Sequence, residues 1–433
     1  MGKKVSIGVV IALVALTAAV TFTLSYHMAM STFNKTVADV NERQQMYQKL
    51  SEIDQRVRQN YLGTIDESSL SDGISAGYLS GLSDPEGRYL SAEEYKEFLA
   101  GASDDSVGIG IETIQDDDGN MEVISVAAGS PAEKEGILKG DVIIRIGGNE
   151  VQRIGYGDAV KKLDGALGST IEIELLRLEE GENTGESLEN IQLTVTREVY
   201  EYHNIFSELL QGSIGYLRVS QFTAQTVEEF QQEVDNLLEQ GVSSLIFDIR
   251  NNAGGDVEAV GEILDQLLPA GNLIGTIDKE GKIEFQIQSD ANELNIPMAV
   301  LVNDGTSGAA ELFASAIKDF RKGGIIGETT AGKGTKNKVF PLSDGSAIVI
   351  SIANYVTMNG QSFTDLGISP NEAVTLEEEQ RKLLNRRALD PAADPQLQAA
   401  ITFLGGTVSP EQEESERSEI DTSSVAEDME ESQ

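Results

Sequence analysis

The stretch IGYLRVSQFTAQTVEEFQQEVDNLLEQGVSSLIFDI, residues 214–249, decides how the second half of the chain is built. Its ends, IGYLRV and SLIFDI, are short runs rich in β-branched and aromatic residues. Between them TVEEFQQEVDNLLEQ spaces its apolar residues at three and four, the period of a helix with one buried face. A strand, a helix and a strand in that order form a βαβ unit with the two strands parallel. The alternation continues outward through helix-patterned VEAVGEILDQLL (257–268), strand-like MAVLV (298–302) and helix-patterned AAELFASAIKDF (309–320). The pattern predicts a multidomain α/β protein whose core, 201–405, holds a mostly parallel sheet. Loops beyond the carboxyl ends of such strands are the usual place for a site.

Upstream, 106–200 changes character. VGIGIETI, MEVISV, DVIIRI, TIEIELLRL and NIQLTVTREV read as strands between Gly, Asn and Asp turns, with one helical insert at GDAVKKLDGA, so this segment is a small β-rich module. Region 27–105 reads as helical, with a stalk at 36–62, and Ser91 followed by Glu94 forms a capping box. Residues 1–26 begin with Lys3 and Lys4 ahead of 22 uncharged residues, Val5 to Tyr26. That run can cross a hydrocarbon layer of ~30 Å. Lysines on its near side predict a cytoplasmic amino terminus, a single-pass cell-membrane protein and an extracytoplasmic bulk. The competing reading is a cleaved signal peptide, with AMS at 29–31 as a poor cleavage signal. The end, 406–433, is acidic and nearly free of large apolar residues, which predicts a disordered tail.

Composition removes several function classes. With 72 acidic against 32 basic residues the net charge is −40, so nucleic acid is a poor partner. The chain has no cysteine and two histidines, His27 and His203, which rules out a thiolate nucleophile, a disulfide framework and a three-histidine metal site.

Three loops combine glycines with polar side chains at strand exits: DIRNNAGGD (248–256), NDGTSGAAE (303–311) and GETTAGKGTKNK (327–338). GETTAGKG approaches a phosphate-binding loop, but Gly334 stands where a hydroxyl is needed and strands follow instead of a helix. A lysine held between glycines has another use. If buried, its ammonium loses protons more readily, and near neutral pH it can accept a proton from a serine without any histidine. The glycines of NNAGGD allow backbone amides to approach a developing oxyanion.

These motifs, in this order, resemble the carboxy-terminal processing (tail-specific) serine peptidases. The resemblance runs from about 45 to 400 through SDPEGRYLSAEEYKEF, GIGI, GSPAEKEGILKGDVIIRIGG, TREV, IGYLRVSQF, LIFDIRNNAGGD, GETTAGKGT, PLSDGSAIVISIANYVTMNGQSF, GISPN and DPQL. It implies a PDZ domain at 106–200 that captures exposed apolar carboxyl termini of proteins or peptides. The turn Gly108-Ile109-Gly110-Ile111 would receive the terminal carboxylate. It also implies an endopeptidase with Lys333 as general base, and neither a metal nor an organic cofactor. Oxyanion donors fall on the turn Gly254-Gly255 and on Gly308, the amide after Ser307. The chain departs from the family at two places. The family's serine lies three residues before the glutamate matched by Glu311 and 25 before the lysine, where this chain has Gly308; its serine, Ser307, is one place early. Asn337 replaces the glutamine that orients the lysine. The expectation is a Ser307–Lys333 endopeptidase assisted by Asn337. The alternative is an inactive PDZ peptide-binding or scaffold protein in which Gly308 has displaced the nucleophile. A homo-oligomer stays open.

Overall fold

A computed structural model describes residues 7–101, 107–181, 185–290 and 293–405. Lys3, Lys4 and the acidic tail 406–433 lie outside the described residues. The chain divides into two compact units, Met1–Tyr78 and Leu79–Gln433.

In the first unit one helix runs from Ile7 to Asn60, joining the apolar run to the stalk. Its polar end is laced by ion pairs one turn apart, Glu52–Arg56 and Asp54–Arg58, and Arg58 also forks onto Glu67 through bonds of 2.6 and 2.8 Å. Among the described residues no helix is long and apolar enough to cross a membrane, so the anchor expected at Val5–Tyr26 gains no support from the fold.

The second unit is mixed α/β. Near its start Ser91 caps the helix Ala92–Gly101: Glu94 N–H donates to Ser91 Oγ and Ser91 N–H donates to the Glu94 carboxylate. The β-rich module is an antiparallel sheet whose edge strand, Ile111–Gln115, pairs with Met121–Val126 on one side only. Met121, Val123, Ile143, Leu175 and Val195 fill its core with the underside of the helix Tyr156–Leu163.

In the core, the strands Ile214–Val219, Ser244–Asp248, Met298–Val302, Gly323–Gly327 and Glu372–Ala373 run parallel in that order, with Ile205–Leu210 antiparallel at one edge. Every residue of Ser244–Asp248 and Met298–Val302 is buried because both faces are covered. Leu245, Phe247, Val300 and Val302 pack with the helices Ala224–Glu239, Val257–Leu267 and Ala309–Asp319, while Ile246, Ala299 and Leu301 pack with Leu397 and Ala400 of the helix Pro395–Phe403. Phe247 sits between Phe230 and Phe313, with ring centroids 5.5 Å away in each case. A second, antiparallel sheet was not expected as a unit. It joins Arg88–Leu90, Gly271–Asp278, Ile283–Ser289, Thr335–Pro341 and Ala347–Val356. The hairpin 271–289 escaped notice because its glycines and interleaved polar residues blur the alternation.

Candidate active site

The three glycine-bearing loops leave the carboxyl ends of three neighbouring parallel strands and are bonded to one another. Asn251 N–H donates to Asn303 Oδ1 at 2.8 Å, and Asn303 Nδ2 returns a bond to Asn251 Oδ1 at 2.8 Å. Ser307 N–H donates to Asn252 O at 2.9 Å, and Ala331 N–H to Thr306 O at 3.0 Å.

Glu311, completely buried in the first turn of Ala309–Asp319, fixes the arrangement. Its Oε2 accepts from the amides of Gly308 at 2.9 Å and Lys333 at 2.8 Å; its Oε1 accepts from Gly332 N–H at 2.6 Å and from the Thr330 hydroxyl. Thr330 Oγ1 accepts in turn from Ile368 N–H at 2.7 Å. One carboxylate thus ties the 330–333 loop to the turn before the helix. No cation is needed, because four donors share the charge.

Gly308 has φ +59° and ψ −119°, backbone that a side chain adopts only under strain. A Cβ built there meets nothing nearer than Ala253 O at 3.8 Å and Lys333 O at 4.0 Å, so it would fit between the loops at ordinary van der Waals contact. Ser307 is instead only 4% exposed, held by the bond from its amide. Lys333 is exposed, and among the described residues no hydrogen bond joins it to Ser307. Asn337 Oδ1 lies 2.9 Å from Ser351 Oγ, which also meets Asp84 Oδ1 at 2.8 Å, and makes no bond to Lys333.

The expected oxyanion donors divide. Gly308 N–H is taken by Glu311, and Gly254 N–H donates to Asn252 Oδ1 at 2.8 Å. Gly255 N–H and Ala309 N–H have no acceptor among the hydrogen bonds of the described residues. Ala309 is the residue after Gly308, not after Ser307, so the available amides fit a nucleophile in register 308. Close packing of Gly254 on this turn, where an added Cβ would lie 2.8 Å from Ser307 O and 2.9 Å from Ala309 N, keeps the two loops in contact.

Sequence reasoning missed the charged network beneath the first loop. Arg250 forks onto Asp248 and reaches Asp394 at 2.8 Å and Gln396 Oε1 at 2.9 Å; Tyr216 OH donates to Asp248 Oδ2 at 2.7 Å. Burial opposes the Asp248 charge, but the Arg250 guanidinium outweighs it and holds that carboxyl below its ordinary range. Burial and the Asp248 charge push the Tyr216 phenol well above its own. No local motif marks this set, since Gln396 lies 146 residues downstream of Arg250. His203 pairs with Glu229 at 3.1 Å and takes no part.

Three basic side chains on or just after the helix Glu378–Asn385 hold the β-rich module to the core: Lys382 to Asp117 at 3.5 Å, Arg386 to Glu122 at 2.8 Å, and Arg387 to Glu112. The same helix reaches all three site loops. Arg381 bonds Glu328 at 2.9 Å and approaches Asp304 at 3.4 Å, and Asn385 accepts from Asn251 Nδ2 at 3.0 Å. In the module, the Gly108–Ile111 turn runs into the edge strand. Ile109 is buried, and Gly110, at φ +80°, has no room for a Cβ, which would lie 2.3 Å from Ser130 Cβ. At the first turn of the helix Tyr156–Leu163, Tyr156 OH donates to the Thr113 carbonyl on that edge strand at 2.7 Å.

Comparison with known proteins agrees with this architecture. The model of peptidase family S41 matches residues 213–374, and a PDZ-domain model matches 122–177. Carboxy-terminal processing protease CtpA of Bacillus subtilis is 30% identical over 361 residues, 83% of this chain and 73% of its own. The carboxyl-terminal-processing protease of Synechocystis is 30% identical over 335 residues, 76% of each chain. The solved photosystem II D1 C-terminal processing protease superposes with a TM-score of 0.51 at 30% identity, covering 78% of this chain and 90% of that one. With a PDZ domain, a parallel-sheet core and relatives 30% identical over most of both chains, the chain belongs to the carboxy-terminal processing proteases of peptidase family S41.

Proposed function

We propose that this chain is a peptide-binding member of the family. It captures carboxyl-terminal segments through its PDZ domain and does not hydrolyse them with Ser307. The observation that carries this reading is the register of the nucleophile turn: Gly308, not the buried Ser307, has room for a Cβ beside the Lys333 backbone, and the unengaged amide that follows belongs to Ala309. Moving a nucleophile by one residue displaces its Cα by ~3.8 Å, whereas productive geometry tolerates ~0.5 Å. The run Val5–Tyr26 behind two lysines supports a single-pass anchor with the bulk of the chain outside the cytoplasm, on sequence alone.

The second reading, a Ser307–Lys333 peptidase, draws support from the retained lysine and from the intact frame around Glu311. One experiment separates the two. Full-length protein in detergent is incubated with an unfolded, apolar-tailed protein, comparing wild type with Ser307→Ala, Lys333→Ala and Gly308→Ser. We expect no difference among the first three. Gly308→Ser is expected to gain cleavage on the order of 10²-fold or more, dependent on Lys333. Wild-type cleavage that Ser307→Ala removes would overturn the binding reading.

Peptide capture has its own test. A peptide adding to the edge strand Ile111–Gln115 needs the Thr113 carbonyl that Tyr156 now occupies. Tyr156→Phe frees that acceptor at the loss of two neutral hydrogen bonds, to the Thr113 carbonyl and to Thr113 Oγ1, each worth about 0.5–1.5 kcal/mol. Affinity for an apolar carboxyl-terminal peptide, read by calorimetry, should rise about 2- to 10-fold. An unchanged affinity would show that the peptide does not use this edge.

A further inference from the structure

A pocket lies where the PDZ module meets the core, away from the Gly308 turn. It encloses about 460 Å³ and combines apolar surface from Ile124 and Phe206 with three cations, Lys139, Arg218 and Arg387, against one carboxylate, Glu133. Two of the cations are accounted for. Arg387 pairs with Glu112, and Lys139 Nζ donates to Arg387 O at 2.9 Å; Glu133 is likewise engaged, accepting from Gly129 N–H at 2.7 Å.

Arg218 is not accounted for. It is half-buried on the strand Ile214–Val219, its Nε is buried with no acceptor, and among the described residues it has no ion pair. Its guanidinium stacks on Phe206, 5.2 Å from the ring centroid, which holds the fork without neutralising it. A guanidinium withdrawn from water without a carboxylate is expensive unless an anion completes it. Lys139 feels the same surplus: burial and then the charges of Arg387 and Arg218 hold its ammonium below the ordinary lysine range.

We infer that this pocket binds a carboxylate-bearing peptide segment, with Arg218 taking the carboxylate and the surface of Ile124 and Phe206 taking a neighbouring apolar side chain. A peptide is favoured over a small inorganic anion because the cations stand beside apolar walls from two domains. The occupant is this chain's own 406–433 segment, whose ten acidic residues against one arginine complement the three cations of the pocket.

The test uses full-length protein and a labelled peptide of the sequence SSVAEDME, residues 423–430, capped at its carboxyl end as an amide so that the Gly108–Ile111 turn cannot take a terminal carboxylate. Its neutral counterpart carries Gln and Asn in place of Glu and Asp. By anisotropy, the acidic peptide should bind at least about 10-fold tighter than the neutral one, the equivalent of one charge-assisted pair. Arg218→Gln should abolish the preference, Lys139→Gln should weaken it, and Arg218→Lys should keep part of it, which distinguishes lost recognition from lost folding. Equal binding of the two peptides, or a preference that survives Arg218→Gln, overturns the inference. A full-length variant with its ten tail carboxylates changed to amides tests the tail as occupant. Tighter binding of the probe is expected because the tail no longer competes, and unchanged binding overturns the tail as occupant. Cleavage is not read, so the result stands apart from whether the chain cuts.

Discussion

Glu311→Ala is expected to destabilise the chain by about 3 kcal/mol or more, because it strands three amides and a hydroxyl in a fully buried position. Glutamine should not rescue it. Each oxygen of Glu311 accepts two donors, and an amide group in place of either oxygen would point N–H at N–H. A shorter carboxylate fails for another reason, since Asp cannot span from the helix to both the Gly308 turn and the Gly332-Lys333 turn. The measurement is the denaturant midpoint of Glu311→Ala, Glu311→Gln and wild type, together with hydrogen exchange at 308 and 330–333. If Gln matched wild type in both, the carboxylate would not be what holds these loops together.

The other large effect belongs to Arg250. Arg250→Ala leaves Asp248 and Asp394, with side chains 2% and 4% exposed, facing each other without their cation. Breaking a buried pair from one side costs about 3–5 kcal/mol. The linkage has a definite direction. The folded Asp248 carboxyl is held below its unfolded value, so its contribution is present above an unfolded pKa of about 3.9 and is lost as pH falls below it. Thermal melts of wild type should drop along an acid limb below about pH 4. Asp248→Asn should start lower and follow a shallower limb. A limb of equal slope in the two proteins would remove Asp248 from this role.

Much of the fold was legible because its signals are local. Strands such as MAVLV and SLIFDI, buried on both faces, are continuous apolar runs, and the helices between them carry period-3.6 stripes. The capping box at Ser91 and Glu94 is written in four consecutive residues and forms as read. The three loops were also legible, since each announces itself with glycines at a strand exit. What the sequence alone did not decide is which atoms point inward. A slip of one residue between Ser307 and Gly308 depends on a backbone angle, and glycine tolerates either outcome. The Asp248–Arg250–Asp394–Gln396 network was hidden for a different reason: its members meet only after the carboxyl-terminal helix folds over the sheet. The bond from Tyr156 to Thr113 is of the same kind, linking residues 43 positions apart.

The helix Glu378–Asn385 gives the molecule two joints of unequal character. Its grip on the PDZ module consists of partly exposed ion pairs, through Lys382, Arg386 and Arg387. Such pairs weaken as dissolved ions shorten the reach of charge, to ~8 Å at physiological ionic strength. Glu311 itself is sealed from solvent, so its bonds are little touched by that screening. The surrounding electrolyte therefore sets how firmly the module is moored, while the bonds of Glu311 to the Gly308 turn and the 330–333 loop change little with salt.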